Sequence, residues 1–295
     1  MARVIYVNGV YAPYAEAAVH VEDRGFQFAD GVYEVCEVRD GCLVDERRHT
    51  LRLRRSLSEL GMAEPMEVRA LGAVLRETVR RNRVRNGIVY LQVTRGVARR
   101  DFAFPAASVS PGVVCFARSL SRAKGEKKAA AGISVITLPD IRWSRVDIKT
   151  TGLLAQSLAR QQAREAGADE AWLVDKDGYV TEGASCNSWM VTDSGVLVTR
   201  PADFGILRGI TREVAMETAS RNGLSYEERP FTVSEAKSAR EAFQTSASGL
   251  VMPVVKIDGH PIGNGKPGEI ATRLRRAYHT VAEISSPHRL LTLTA

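Results

Sequence analysis

One lysine, Lys149, stands in DIRWSRVDIKTTGLL (residues 140–154). It lies between an apolar, β-branched run, ISVITL at 133–138, and a helix-spaced stretch that begins at Leu153 and stops at Gly167. An amine at such an element boundary is held by the scaffold while the adjacent backbone stays open to a ligand, which suits imine formation and proton transfer. Glu182, in VTEGASCN (180–187), is a carboxylate followed by small residues that permit close backbone approach. LRGITRE (207–213) runs through Gly209 into a helix whose first turn contains Thr211, where backbone amides at the helix start, with the threonine hydroxyl, can receive a phosphate. Arg52 in HTLRLR (49–54) and Ser248 in TSAS (245–248) can add a charge and a further hydroxyl. TRGVARRDFAFP (94–105) follows a strand and holds three arginines in a loop, where a guanidinium fork suits a carboxylate better than a lysine does.

Singly, each group has a plainer reading: a solvated lysine whose stem covers apolar surface, an exposed turn acid, an ordinary helix cap, a solvated basic loop. Jointly they meet the demands of pyridoxal 5′-phosphate. That cofactor needs an amine to hold it, a carboxylate beside its pyridine nitrogen, donors around its phosphate and a recognition group for the substrate.

The elements that must position these groups follow from pattern. The first part is strand-rich. Val4 to Val7 and Val10 to Tyr11 flank Asn8-Gly9, and Tyr33 to Val38 and Cys42 to Val44 flank Arg39-Asp40-Gly41, both hairpin signals. Two helices are expected at 49–60 and 66–83, the second with Leu71, Val74, Leu75 and Val79 in register, before strand composition returns at 88–93 and 113–117. Residues 121–132, polar and then alanine-rich without an apolar period, read as a linker. Beyond it come the strand and helix around Lys149, and hairpin-like strands at 175–178 and 193–195. A helix at 211–222, strands around Phe231 and Phe243, a hairpin at Asp258-Gly259 and a last helix at 268–284 follow. Strands with intermittent helices indicate α+β with mainly antiparallel sheets: a small N-terminal α+β domain at 1–120, a larger C-terminal domain at 133–284 and a tail at 285–295.

With 295 residues and 44% hydrophobic content the chain can bury a sizeable core and is not disordered. Its net charge of +7, from 41 Lys and Arg against 34 Asp and Glu, favours anionic ligands. Neither an aromatic-interleaved basic platform nor zinc-finger spacing is present, so nucleic acid is not expected as a partner. Cys36, Cys42, Cys115 and Cys186 form no CxxC pair or metal-ligand spacing and read as reduced thiols. No metal is expected. The N-terminus lacks an apolar signal core and no run reaches the length of a membrane span, so a soluble, cytoplasmic protein is expected.

On these residues the chain resembles the fold-type IV pyridoxal-phosphate aminotransferases, and within them the bacterial D-amino acid aminotransferases. The matching stretches are EDRGFQFADGVYEV (22–35), YLQVTRG (90–96), DIRWSRVDIK (140–149), VTEGASCN and LRGITRE, in order over nearly the whole chain. The resemblance implies a two-domain fold and Lys149 as the Schiff-base lysine and proton shuttle. It also implies Glu182 on the pyridine nitrogen and a phosphate cup of Arg52, Ile210, Thr211 and Ser248. Tyr33 would line the substrate pocket, and Arg100 would be the carboxylate-trap arginine that reaches the neighbouring subunit of a homodimer whose active site lies at the subunit interface. Two positions depart from the pattern: Phe102 stands where the trap histidine is expected, and Arg99 replaces a proline. Phenylalanine supplies no hydrogen bond, so one donor to the substrate carboxylate is lost.

The activity implied is ping-pong transamination between a D-amino acid and pyruvate or 2-oxoglutarate; the departure at Phe102 leaves three consequences open, namely compensation by Arg99, weaker binding of dicarboxylic substrates, or acceptance of (R)-primary amines that lack a carboxylate. Branched-chain L-amino acid aminotransferase and aminodeoxychorismate lyase reuse the same lysine and are the alternatives within the superfamily. A basic binding protein without catalysis is the alternative of another class.

Overall fold

A computed structural model describes residues 3–285. The backbone divides into two compact units. Of the described residues, the first holds 3–121, the short segment Ile148–Gly152 and 283–285; the second holds Arg122–Asp147 and Leu153–Ala282. Of the tail expected at 285–295, only Ser285 lies within the described residues.

The first unit runs β1 (Val4–Val7), β2 (Val10–Pro13), α1 (Arg24–Phe28), β3 (Gly31–Arg39), β4 (Cys42–Val44), α2 (Glu46–Glu59), α3 (Val68–Arg81), β5 (Gly87–Thr94) and β6 (Gly112–Ser119). With the Ile284–Ser285 strand at one edge, the sheet order is that strand, β4, β3, β5, β6, β1, β2. Every pairing in it is antiparallel. The Asn8-Gly9 and Asp40-Gly41 turns both place two successive residues at positive φ (45° and 98°, 50° and 84°), the conformation a two-residue hairpin requires. Alternation along β3 sends Val32, Cys36 and Val38 into a core shared with Leu53 and Leu57 of α2 and Leu71 and Leu75 of α3. Glu34, on that same buried face, is the polar exception. The five-residue α1 lacks the length for a readable period, and GFQF alternates like a strand. Asp23 starts it by accepting a hydrogen bond from the Gly25 amide, 2.8 Å.

The second unit runs α4 (Arg122–Ala131), β7 (Ile133–Pro139), α5 (Leu154–Glu165), β8 (Glu170–Val174), β9 (Val180–Gly183), β10 (Asn187–Val191), β11 (Leu197–Thr199), α6 (Ile210–Arg221), β12 (Tyr226–Glu228), α7 (Val233–Ser238), β13 (Glu241–Ser246), β14 (Leu250–Ile257), β15 (His260–Pro261) and α8 (Glu269–Ala277). The sheet order is β12, β11, β10, β13, β14, β7, β8, β9, with β15 on β14. It is mixed, with parallel pairs at β11/β12, β14/β7 and β7/β8. Trp189 and Phe243 stack across β10 and β13 at 5.3 Å in a core with Ala215 and Ala219 of α6 and Leu274 of α8. Two segments differ from expectation. Residues 122–131, read as linker, form α4, because alanine, lysine and glutamate favour helix even without an apolar stripe. After Phe231 the chain turns into α7, begun by a capping box in which Thr232 and Glu235 exchange hydrogen bonds. No helix among the described residues is long and apolar enough to cross a membrane.

Candidate active site

Lys149 belongs to the first unit although both of its sequence flanks belong to the second. The sheet order leaves β3 an edge that β4 covers only at Val38 and Arg39, and Ile148–Gly152 takes up another stretch of it. Thr150 bridges Val32, the Tyr33 amide donates to the Lys149 carbonyl at 2.9 Å, and the Thr151 amide donates to the Gly31 carbonyl at 2.9 Å. The Lys149 amide reaches the Ser56 hydroxyl at 3.4 Å, and Ile148 is buried in the core. The backbone of the lysine is therefore fixed on both sides. Its side chain ends over a ring: Nζ is 4.2 Å from the Tyr33 centroid, and among the described residues it has no anion partner. Tyr33 in turn stacks on Tyr90 at 5.4 Å, and Tyr90 on Phe116 at 4.8 Å, the diagonal and direct cross-strand neighbours of one sheet face.

On the opposite face of β3, Glu34 receives two hydrogen bonds from Arg52, Nε and Nη2 each at 2.8 Å, and contacts His49 Nδ1 at 2.7 Å. His49 and Arg52 lie three residues apart on α2 and so present side by side. Burial pushes the Glu34 carboxyl up, but the charge and hydrogen bonds of Arg52 and His49 outweigh it and hold the group at about 2. Arg52 is thus an oriented guanidinium, paired before any ligand arrives.

The loop after β5 carries the remaining expected substrate residues. Arg99, Arg100 and Phe102 are exposed, Phe102 at 84%. The Arg100 guanidinium lies 4.6 Å from the Phe28 ring, and the Phe102 ring is 5.7 Å from the same ring. Neither Arg99 nor Arg100 has an anion partner among the described residues. A guanidinium held against a ring spends no N–H group on an anion, which leaves those donors for a carboxylate.

In the second unit, Glu182 is 5% exposed on β9. Its carboxylate accepts from Asn187 Nδ2 at 2.8 Å and from the Leu207 amide at 3.2 Å, and pairs with Arg142. Arg142 is itself held by Asp140, through Nε at 2.9 Å and Nη2 at 2.7 Å. Burial raises the Asp140 carboxyl but Arg142 and Thr181 outweigh it, and its pKa is lowered. Asn187 also donates to the Leu207 carbonyl at 2.9 Å, tying β10 to the approach to α6. At Gly209 a Cβ would stand 2.0 Å from Asn187 Oδ1, so a larger residue would push Asn187 off the hydrogen bonds it makes to Glu182 and Leu207. As the N-cap of α6, Gly209 offers no side chain to the first-turn amides, so Ile210 and Thr211 keep theirs for a ligand. The network thus joins Glu182 to the helix start that bears Ile210 and Thr211. Ser248 is exposed in the turn between β13 and β14, and no hydrogen bond links it to this network among the described residues.

Asn187, Arg142 and the Leu207 amide were not singled out from the sequence, although all three lie in motifs that were. Spacing shows which side chains neighbour one another along an element; it does not show that Asn187 bridges two oxygens on separate segments. The donor set fits pyridoxal 5′-phosphate: a lysine amine without an anion, a buried and oriented carboxylate, and a helix start left uncapped by side chains.

Residues 31–257 match the family model of the amino-transferase class IV. Among curated proteins, the chain is 41% identical to a D-alanine aminotransferase of Bacillus licheniformis over 92% of this chain and 95% of that one. It is 38% identical to a D-alanine aminotransferase of Staphylococcus haemolyticus over 96% and 99%. Among solved structures, the branched-chain aminotransferase of Thermoproteus uzoniensis with norvaline superposes with a TM-score of 0.82 at 26% identity, covering 95% of this chain and 94% of the other.

Proposed function

The chain belongs to the amino-transferase class IV family, and from that premise we propose that it uses pyridoxal 5′-phosphate to exchange the amino group of a D-amino acid with the keto group of a 2-oxo acid such as pyruvate or 2-oxoglutarate. The observation that carries this reading is Lys149: a lysine fixed by backbone hydrogen bonds on both sides, whose ammonium faces a tyrosine ring and, among the described residues, no anion. When bound, pyridoxal 5′-phosphate supplies an aldehyde that an amine can hold and a ring that accepts the electron pair left after loss of the α-proton. Lys149 Nζ would hold the cofactor and, once released as a neutral amine, would take the substrate's α-proton and return it. Glu182, already oriented by Asn187 and Arg142, would favour the protonated form of the cofactor's pyridine nitrogen. The amides of Ile210 and Thr211, the Ser248 hydroxyl and Arg52 receive the phosphate. Tyr33 lines the pocket wall beside Lys149, and Arg100 receives the substrate carboxylate with Arg99 beside it.

The D-alanine aminotransferase relatives support the D-amino acid assignment, and the fold of the Thermoproteus uzoniensis enzyme supports branched-chain L-amino acids as the second reading. A substrate panel decides. Purified holoenzyme is mixed with D-alanine, D-glutamate, L-leucine and (R)-1-phenylethylamine, and loss of the cofactor's visible absorbance is followed. Response to D-alanine is expected; response to L-leucine alone overturns the assignment. Borohydride treatment followed by peptide mapping tests Lys149 directly, and labelling at any other residue refutes its role.

The protein acts as a homodimer in which Arg100 serves the neighbouring subunit, a reading supported by the exposed Phe26 (71%), Phe102 and Phe104 (65%) of the first unit. Mixed dimers of Lys149→Ala and Arg100→Ala test it: one site per mixed dimer then regains both residues and activity returns. No recovery on mixing places Arg100 in its own subunit's site. Four free cysteines support a cytoplasmic setting.

A further inference from the structure

The stretch EDRGFQFADG supplies α1, a short helix with no role in the chemistry above. Its first residue, Arg24, is only 3% exposed. The Arg24 guanidinium is a junction: Nε donates to Asp30 Oδ2 at 2.8 Å, and Nη1 donates to the carbonyl of Asp101 at 2.6 Å and to that of Ala103 at 3.3 Å. Those two carbonyls flank Phe102 and follow Arg100. Upstream, the same loop is fastened to the segment before α1, through the Asp23 to Val97 bridge, the Arg24 amide on the Gly96 carbonyl at 2.9 Å and the Ala98 amide on the Glu22 carbonyl at 3.3 Å. Downstream, Arg95 shares Asp30 Oδ2 at 2.8 Å and covers the Phe104 ring at 3.7 Å. Between these fastenings stand Arg99, Arg100 and Phe102, and the surface they lie on is Phe28, the last residue of α1.

We infer that Arg24 is a positioning residue for substrate recognition: it clamps the loop after β5 by the carbonyls of Asp101 and Ala103, so that Arg100, laid on Phe28, meets a substrate carboxylate at a set place. A buried arginine whose donors end on loop carbonyls contributes orientation more than field, because its charge is already answered by Asp30. An exposed loop of this kind otherwise samples many conformations, and a carboxylate receptor on a wandering loop loses affinity to the entropy of ordering it.

The inference rests on the reading of Arg100 as the carboxylate receptor, and the experiment separates the two. Holoenzymes carrying Arg24→Gln, Arg100→Ala and both are compared with wild type for the amino acid accepted in the panel, D-alanine on this reading. Arg24→Gln is expected to raise KM roughly tenfold while kcat falls less than about threefold. In the Arg100→Ala background the same change is expected to raise KM less than about twofold, since there is no receptor left to position. Effects that multiply independently overturn the inference, as does a loss in kcat with KM unchanged. If Arg100→Ala leaves KM unaltered, the receptor reading fails and the inference with it; if Arg100→Ala acts and Arg24→Gln does not, the positioning role alone is rejected. Arg24→Lys keeps the charge beside Asp30 but cannot fork to the carbonyls, so it is expected to behave like Arg24→Gln; rescue by lysine shows a merely electrostatic role and overturns the clamp. Should Arg24→Gln fail to fold, Arg24→Lys and Phe28→Leu carry the same cycle with the same deciding outcomes.

Discussion

Two of the places where the first unit gathers cations treat them in opposite ways. Around Glu34, at 3% exposure, Arg52 and His49 converge on one carboxylate, and every short contact is between opposite or hydrogen-bonding partners. In the loop after β5, Arg100 rests on the face of Phe28 with no anion partner among the described residues. A cation oriented by an anion has its field answered from within; one oriented by a ring face keeps its N–H groups and most of its charge for a ligand. Lys149 belongs with the second kind, since it too is oriented by a ring, that of Tyr33. The anion-paired cluster braces the fold and presets Arg52 for the phosphate of the proposed site, whereas the ring-oriented Lys149 and Arg100 are left for the reacting amine and the substrate carboxylate.

The sharpest way to break this comparison is at Lys149. Lys149→Ala is expected to slow the half-reaction with D-alanine by roughly 10⁴-fold, the upper end of what a positioned acid–base group contributes. Lys149→Arg should not recover it, because a guanidinium stays protonated and cannot take the α-proton. Single-turnover absorbance measures both, and a Lys149→Ala rate within about tenfold of wild type would place the proton transfer elsewhere. Next in size is Glu182→Gln, expected to lower kcat by roughly 10²-fold through loss of a preorganised charge, with the substrate KM little altered. Steady-state kinetics with saturating cofactor reads it.

On the scaffold side the expected effect is on folding. Glu34→Gln leaves a buried guanidinium without its anion and should destabilise the holoenzyme by about 3–5 kcal/mol in denaturant unfolding. Glu34 is held at about 2 against its ordinary 4.5. A carboxyl lowered on folding stabilises the native state above its unfolded value, and that stabilisation is lost as pH falls from about 4.5 towards 2. Wild type should therefore lose stability over that range more steeply than Glu34→Gln. Parallel pH profiles for the two would show that the pair contributes no net charge stabilisation.

The residues that bear charge in this protein are legible from sequence far more than the arrangements that orient them. Hairpin dipeptides and helical periods mark β1 to β4, α2 and α3, because those signals are local and strong. The period fails where an element is short or uniform in propensity: α1 has five residues, and α4 has alanines and lysines on every side. Lys149, Glu182 and the Gly209 helix start stand out by type and context. Asn187, Arg142, Arg24 and Glu34 do not, since their function is to hold another residue in place and that relation crosses from one segment to another. Gly209 shows the limit well. Sequence marks it as a helix start, but only the structure shows that a Cβ there would displace the Asn187 side chain.

The smallest expected effect bears on the loop itself. Phe102 is 84% exposed and its ring lies tilted against Phe28 at 5.7 Å, so it contributes little to stability. Phe102→His replaces it with a ring that can donate to a carboxylate, and one such hydrogen bond is worth about 1 kcal/mol. KM for D-alanine and D-glutamate should fall by roughly fivefold, while KM for (R)-1-phenylethylamine, which has no carboxylate to receive the donor, should stay level or rise. Steady-state kinetics across the three substrates measures the split. Equal changes in all three would mean that residue 102 shapes the loop without facing the substrate carboxylate, and the contrast between ring-oriented recognition and anion-paired scaffold would then rest on Arg100 and Lys149 alone.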